Sequence, residues 1–346
     1  MASREDLLRA SQCAAEVYQS SGAADRILHG GYTRVDPFIV AASAELTLML
    51  QPMEALLGAF IRNEQSGILV NADRPPGLIH MTCAHELGHY FLGHTSTADQ
   101  ILDYGSGAPA IEQQADWFAY QLMMPRTLIA RTMRRKGWNT GSLRDPRIVY
   151  QLSLRLGASY QAMVWSLYRH NLLLLSRREV EDLSRTPPQR IKRQLAGTEA
   201  VTGVADVWQL DKADHDVVIE PRPNDVFVLD LPTHAPAGYL WTVTEATEAG
   251  FRLVPESVSS DLARVPRLQE PTIGSQGFQR YVLKRDGRNS PAVPNSRHEF
   301  NFAEVRPWLG VTSQNDEFRT SAEFESIGYG LSRWSRERLV DEIAQT

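Results

Sequence analysis

The chain has 346 residues, enough for two or three domains, and its 42% hydrophobic and 22% charged residues are those of an ordinary globular protein. A formal net charge of -5 argues against direct nucleic-acid binding as its main work. Cys13 and Cys83 are its only cysteines, which excludes a disulfide framework and fits a reducing compartment.

The first residues are charged early and lack the apolar segment of a secretory leader. The longest apolar stretch, 37–61, is interrupted by Glu45, Gln51, Pro52 and Glu54, whereas a membrane span needs about 20 apolar residues. A cytoplasmic protein without a membrane partner is expected. Residues 3–19 set Leu7, Leu8, Cys13, Ala14 and Val17 near helical spacing. Pro37 opens a second helix, expected to reach Leu50. Residues 59–62 and 67–71 read as short strands around a polar turn. After the turn at 73–77, a helix is expected over 78–93 and another over 110–124, ending before Pro125. Residues 127–175 read as helical, and a charged stretch with Pro187 and Pro188 follows. Beyond 205 the pattern turns to β, with strand-like runs at 225–231, 239–243, 251–254, 278–283 and 299–302. The tail after about 315 is polar, with one amphipathic helix expected over 331–343.

The chemistry concentrates at His85-Glu86-Leu87-Gly88-His89. Four residues apart on a helix, His85 and His89 differ by about 40° in azimuth and about 6 Å along the axis, so both imidazoles can reach one ion. Two neutral imidazoles form half of a tetrahedral zinc site. Glu86, on the flank of that face, can take a proton from an activated water without binding the metal. A catalytic zinc site needs a third protein ligand. Glu112 is favoured for it and Asp116, one turn further on, is its rival. Asp116 can alternatively accept a hydrogen bond from the far nitrogen of a ligating histidine. A metzincin site would need glycine three and histidine six residues after His89, where the chain has Leu92 and Thr95. If the helix continues, His94 lies about 180° from His85 and is expected to cap or pack at the helix end. Cys83 reads as a buried, inert thiol.

Four separated motifs together resemble the ImmA/IrrE metallopeptidase family: Ile68-Leu69-Val70-Asn71, residues 82–94, residues 112–119 from Glu112 to Ala119, and Leu122-Met123-Met124-Pro125. The resemblance covers roughly residues 5–175. It implies a gluzincin-like peptidase holding one zinc ion by His85, His89 and Glu112, with Glu86 as general base. It also implies a helix-turn-helix-like segment after Pro125. Such proteins are often bacterial or phage-borne and cut helix-turn-helix transcriptional repressors in stress or mobile-element responses. A repressor is therefore the expected substrate. Residues 68–71 could pair with its extended backbone, and Tyr90 and Tyr104 are candidate oxyanion donors.

Residues 224–308 resemble the chagasin-type peptidase inhibitors, an immunoglobulin-like sandwich. The resemblance rests on His234-Ala235-Pro236-Ala237-Gly238 leading into Tyr239 and Trp241, on Gly274 to Gly277, and on Arg306-Pro307-Trp308. It implies partner-binding loops at Gly238, Tyr239, Trp241, Gly274, Gly277, Arg306 and Trp308, through which a second protein could be engaged. The expected class is therefore α+β: a mostly helical gluzincin-like domain with a small sheet (1–128), a helical extension and linker (129–200), an immunoglobulin-like β-sandwich (201–315) and a polar tail (316–346). A competing reading is a protein-binding, inhibitor-like module whose zinc site is structural or inactive.

Overall fold

The computed structural model describes all residues except 64–65, 96, 100–107, 170–174, 198–200, 202, 244–250, 256–276, 286–296, 310–314 and 345–346. It divides into two compact units. The first comprises Met1–Ala130, Ser153–Leu172 and Ile327–Thr346; the second comprises Arg131–Leu152 and Leu173–Ser326. Among the described residues no helix is long and apolar enough to cross a membrane.

Helix α1 (Arg4–Ser20) starts at Ser3, whose hydroxyl accepts from the Asp6 amide while the Asp6 carboxylate accepts from the Ser3 amide. It buries Ala10, Ala14 and Val17, one face at helical spacing. After α2 (Ala23–Leu28), Asp36 caps α3 (Pro37–Ser43), with proline at the first helical position. The helix expected to reach Leu50 stops at Ser43. Glu45 takes a left-handed φ of 57°, which turns the chain into strand β1 (Thr47–Gln51). Leu48 and Leu50 point inward from β1 and Met49 outward, a period of two that the run of apolar residues conceals. Strands β2 (Gly58–Ile61) and β3 (Gly67–Asn71) pair antiparallel, and β1 joins β3 in parallel. Helix α4 (Pro76–Phe91) then crosses the core. Every residue from Ile79 to His89 is buried, so it has no solvent face. Strand β4 (Thr97–Asp99) pairs with β2, and α5 (Ala110–Met123) packs on both α1 and α4.

The helical stretch resolves into α6 (Arg126–Arg135), α7 (Pro146–Arg155) and α8 (Tyr160–Arg169). The charged segment beyond it forms α9 (Arg177–Ser184), with a Ser176–Glu179 capping box, and α10 (Pro188–Ala196).

In the second unit the strands are β5 (Val207–Leu210), β6 (Val218–Ile219), β7 (Val226–Thr233), β8 (Leu240–Val243), β9 (Phe251–Pro255), β10 (Gly277–Arg285), β11 (Arg297–Val305) and β12 (Asp316–Glu323). They make two open four-stranded sheets, β5-β7-β10-β9 and β6-β12-β11-β8. This corrects the immunoglobulin-like expectation. The chain is a mixed α+β arrangement with three open sheets, and no closed immunoglobulin-like sandwich occurs among the described residues. The physical reason is the pairing. Short strands β5 and β6 join in parallel to β7 and β12, where an antiparallel sandwich was expected. Residues 316–323, expected as polar tail, form an interior strand. Phe318, Thr320 and Ala322 alternate inward there, while Glu317 and Arg319 face out. Phe227, Phe300, Phe302, Phe318 and Phe324 are fully buried, with Phe302 stacked on Phe318 at 5.3 Å between ring centres.

The chain end returns to the first unit as β13 (Gly330–Leu331) and α11 (Arg333–Ala344). β13 pairs antiparallel with β1, completing the order β13-β1-β3-β2-β4. The Leu48 amide donates to the Ser335 hydroxyl at 2.9 Å, and the Leu48 carbonyl accepts from the Ser332 amide at 2.8 Å. Strand β3 is consequently hydrogen-bonded on both sides. Ile68, Leu69, Val70 and Asn71, expected to pair with a substrate backbone, have no free edge. Asn71 instead holds the 53–56 loop, donating to the Met53 and Leu56 carbonyls at 2.6 and 2.8 Å.

Candidate metal centre

Helices α4 and α5 carry the cluster. His85 and His89 sit one turn apart on α4, 2% and 0% exposed, and Glu112 opens the first turn of α5. The two Nε2 atoms stand 3.0 Å apart, and Glu112 Oε2 lies 3.2 Å from His85 Nε2 and 3.4 Å from His89 Nε2. A tetrahedral ion with bonds of about 2.0–2.2 Å separates its donors by about 3.3–3.6 Å. The observed triangle is slightly tighter than that and converges on one point. Two imidazole nitrogens and one carboxylate oxygen are also a donor set of catalytic zinc sites. These residues fit a zinc ion, and among the described residues they are the one grouping of three that could hold a metal.

Asp116, four residues after Glu112, lies behind His85. The His85 Nδ1–H donates to Asp116 Oδ1 at 2.8 Å, which leaves the Nε2 lone pair facing the cluster. This separates the two candidates for third ligand: Glu112 enters the cluster and Asp116 stands outside it. The two carboxyls differ electrically as well. Burial works against ionising Glu112, but the adjoining His85 and His89 imidazoles outweigh it and hold the carboxyl well below the usual range. At Asp116 burial wins over the His85 bond and pushes the carboxyl up.

Glu86 is fully buried, with Oε1 packed against Gly58 of β2. A Cβ at Gly58 would fall 2.5 Å from that oxygen and 2.5 Å from Thr82 Cγ2, so only glycine leaves the carboxylate its place. Gly88 acts similarly between the helices. A Cβ there would stand 3.0 Å from the Ala115 Cα and carbonyl oxygen, so the glycine lets α5 approach closely enough for Glu112 to reach the imidazoles. Neither glycine is marked by any chemistry in the sequence. Their signal is position alone, one between the two histidines and one entering the strand beside α4.

Helix α4 ends where Gly93 takes φ 78°. The reversal brings His94 back, its Nδ1 3.0 Å from His89 Nδ1 with ring centres 5.0 Å apart. Burial and the neighbouring His89 hold its imidazole below the ordinary value, so it is neutral at pH 7. Arg62 closes the same turn, donating to the carbonyls of Tyr90 and His94 at 2.9 Å each. Tyr90 packs edge-on against Phe60 under the Arg62 guanidinium. Cys83 is buried, and burial raises its thiol far above the ordinary value, as an inert thiol requires.

The other expected residues lie in the second unit. A Cβ at Gly238, at φ 82°, would stand 2.5 Å from the exposed Trp308 ring, and Arg306 sits 4.5 Å over the Tyr239 ring. These two loops meet. Trp241 is instead a core residue, 5% exposed, donating through Nε1 to the Pro232 carbonyl at 2.6 Å. Gly277 opens β10 opposite Thr233. Tyr104 and Gly274 lie outside the described residues.

Residues 46–167, about a third of the chain, match the IrrE N-terminal-like domain of the M78 peptidases. This stretch contains the whole cluster, and an IrrE-like peptidase domain is therefore present. No curated protein matches the chain. Among solved structures, the cysteine protease inhibitor EhICP2 from Entamoeba histolytica is similar at 14% identity and a TM-score of 0.26, over 36% of this chain and 100% of that one. A likeness that weak carries no argument about the second unit.

Proposed function

We propose that the chain is a zinc-dependent endopeptidase. The observation that carries this reading is the convergence of His85, His89 and Glu112 on one point, beside a buried carboxylate one residue from a ligand, inside an IrrE-like peptidase stretch. The cluster would hold zinc, which supplies Lewis acidity to acidify a water and polarise a peptide carbonyl. Glu86 takes the proton of the attacking water and passes it to the leaving amine. The absence of a Cβ at Gly58 leaves that carboxylate its place. Asp116 sets the tautomer of His85 so that its lone pair faces inward.

The substrate we propose is a separate helix-turn-helix repressor in the cytoplasm, cut in a bacterial stress or mobile-element response; the family resemblance supports this. Co-expression of the full chain with helix-turn-helix proteins encoded nearby tests it. Cleavage by wild type and none by Glu86→Gln is expected. Equal cleavage by both would overturn the mechanism, and cleavage only of other proteins would overturn the substrate.

A further inference from the structure

The two ligating histidines on α4 have far nitrogens that meet different partners. Behind His85 stands a carboxylate, Asp116. Behind His89 stands a second imidazole, His94, at 3.0 Å between Nδ1 atoms. For two Nδ1 atoms to share one proton, one must donate and the other accept. The His89 Nε2 atom lies 3.0 Å from His85 Nε2 and 3.4 Å from Glu112, where a ligating nitrogen must present a lone pair. The proton of neutral His89 must then sit on Nδ1, and His94 Nδ1 must accept it. His94 in turn hydrogen-bonds Gln114, which follows Glu112 by two residues on α5.

His94 is also held in place independently of that contact. Its amide donates to the His89 carbonyl at 2.9 Å and the Gly93 amide to the Tyr90 carbonyl at 3.1 Å, a closing turn that needs the left-handed φ of 78° at Gly93. Arg62 anchors its carbonyl at 2.9 Å. The imidazole thus reaches His89 from a backbone locked on three bonds, as a fixed acceptor rather than a loose cap.

We propose that His94 is a positioning residue for the metal centre: as a hydrogen-bond acceptor at Nδ1 it fixes the tautomer and ring orientation of His89, the part Asp116 plays for His85. The inference rests on the zinc-site reading given above, and it adds an imidazole partner where a carboxylate is the common one. The two ligating histidines are thus backed by different groups, a carboxyl behind His85 and an imidazole behind His89.

The test uses the full chain with two readouts. Long-range proton–nitrogen NMR on metal-free protein reads the His89 tautomer, assigned with His89→Gln. Chelator competition with Zn2+ alone reads affinity. Wild type is expected to carry the His89 proton on Nδ1. His94→Phe keeps a ring but offers no acceptor, and is expected to lose that preference and to weaken zinc binding by about ten- to a hundredfold. His94→Asn, whose Oδ1 leaves the side chain at the same branch as Nδ1, is expected to restore the tautomer and most of the affinity. A wild-type His89 protonated on Nε2, or His94→Phe with unchanged tautomer and affinity within about twofold, would overturn the proposal. If His94→Phe does not fold, the wild-type tautomer and the His94→Asn affinity decide. Wild type that binds no zinc would sink the zinc reading instead, and the metal-free tautomer separates the two failures.

Discussion

Gly88→Ala sets two local effects against each other at the centre of the site. Alanine in a helix interior gains about 0.5–1 kcal/mol over glycine. Against this, the new methyl meets the Ala115 Cα and carbonyl oxygen at 3.0 Å and Phe118 Cδ1 at 3.2 Å. Two of these atoms are backbone, so α5 must retreat by about 0.5 Å to restore ordinary contact. Overpacking of this kind costs about 1–3 kcal/mol. The net expectation is a loss of up to about 2.5 kcal/mol, read as a melting temperature lower by up to several degrees. The larger effect falls on the candidate metal cluster. Glu112 and Asp116 both ride on α5, while donor distances in a metal site tolerate only about 0.2 Å. Zinc affinity is therefore expected to fall at least about tenfold by chelator competition. A variant as stable as wild type or more so, with unchanged zinc affinity, would refute the argument that Gly88 sets the spacing of the two helices.

Deleting residues 327–346 removes β13 and α11 and leaves the buried Leu48 amide and carbonyl without Ser335 and Ser332. Each such hydrogen bond contributes about 0.5–1.5 kcal/mol and the packing of α11 on β1 is lost as well, so calorimetry is expected to show a marked loss of stability, with aggregation through the bared β1 edge. A truncated chain that melts with wild type would show that the tail is dispensable. In the second unit, burial and the nearby Asp206 carboxylate push Asp225 up to about 6, against Arg222 and the amides of Arg222 and Asp206. An acid whose folded value lies above its unfolded value of about 3.9 binds more protons folded, so its contribution is full below about pH 4 and is lost as pH rises through 6. Denaturant titrations at pH 4.5 and 7 should show wild type losing about 2 kcal/mol relative to Asp225→Asn over that interval; parallel curves would contradict it.

The candidate metal cluster was legible because its residues are periodic. His85 and His89 four apart, and Glu112 and Asp116 four apart, declare one face each on two helices, and the structure turns those faces together. His94 was not legible in the same way. Its azimuth on a continuing helix points away from His85, and only the left-handed Gly93 brings it back to His89. Gly58 and Gly88 act by the absence of a Cβ, which no motif records. The strand at 67–71 was readable as a strand, but its interior place depends on β1, hidden in an apolar run, and on pairing with β2. The sheets after residue 205 depended on parallel partners far apart in the chain, Val218 with Ser321 among them, and local alternation cannot specify those.

Titration of the metal-free full chain with Zn2+ tests the central claim most directly. One zinc per chain is predicted for wild type and for Glu86→Gln at similar affinity, with Glu112→Ala weaker by at least about a hundredfold. A wild type that binds no zinc, or a Glu112→Ala that binds it as tightly as wild type, would contradict the assignment of His85, His89 and Glu112 as the ligands.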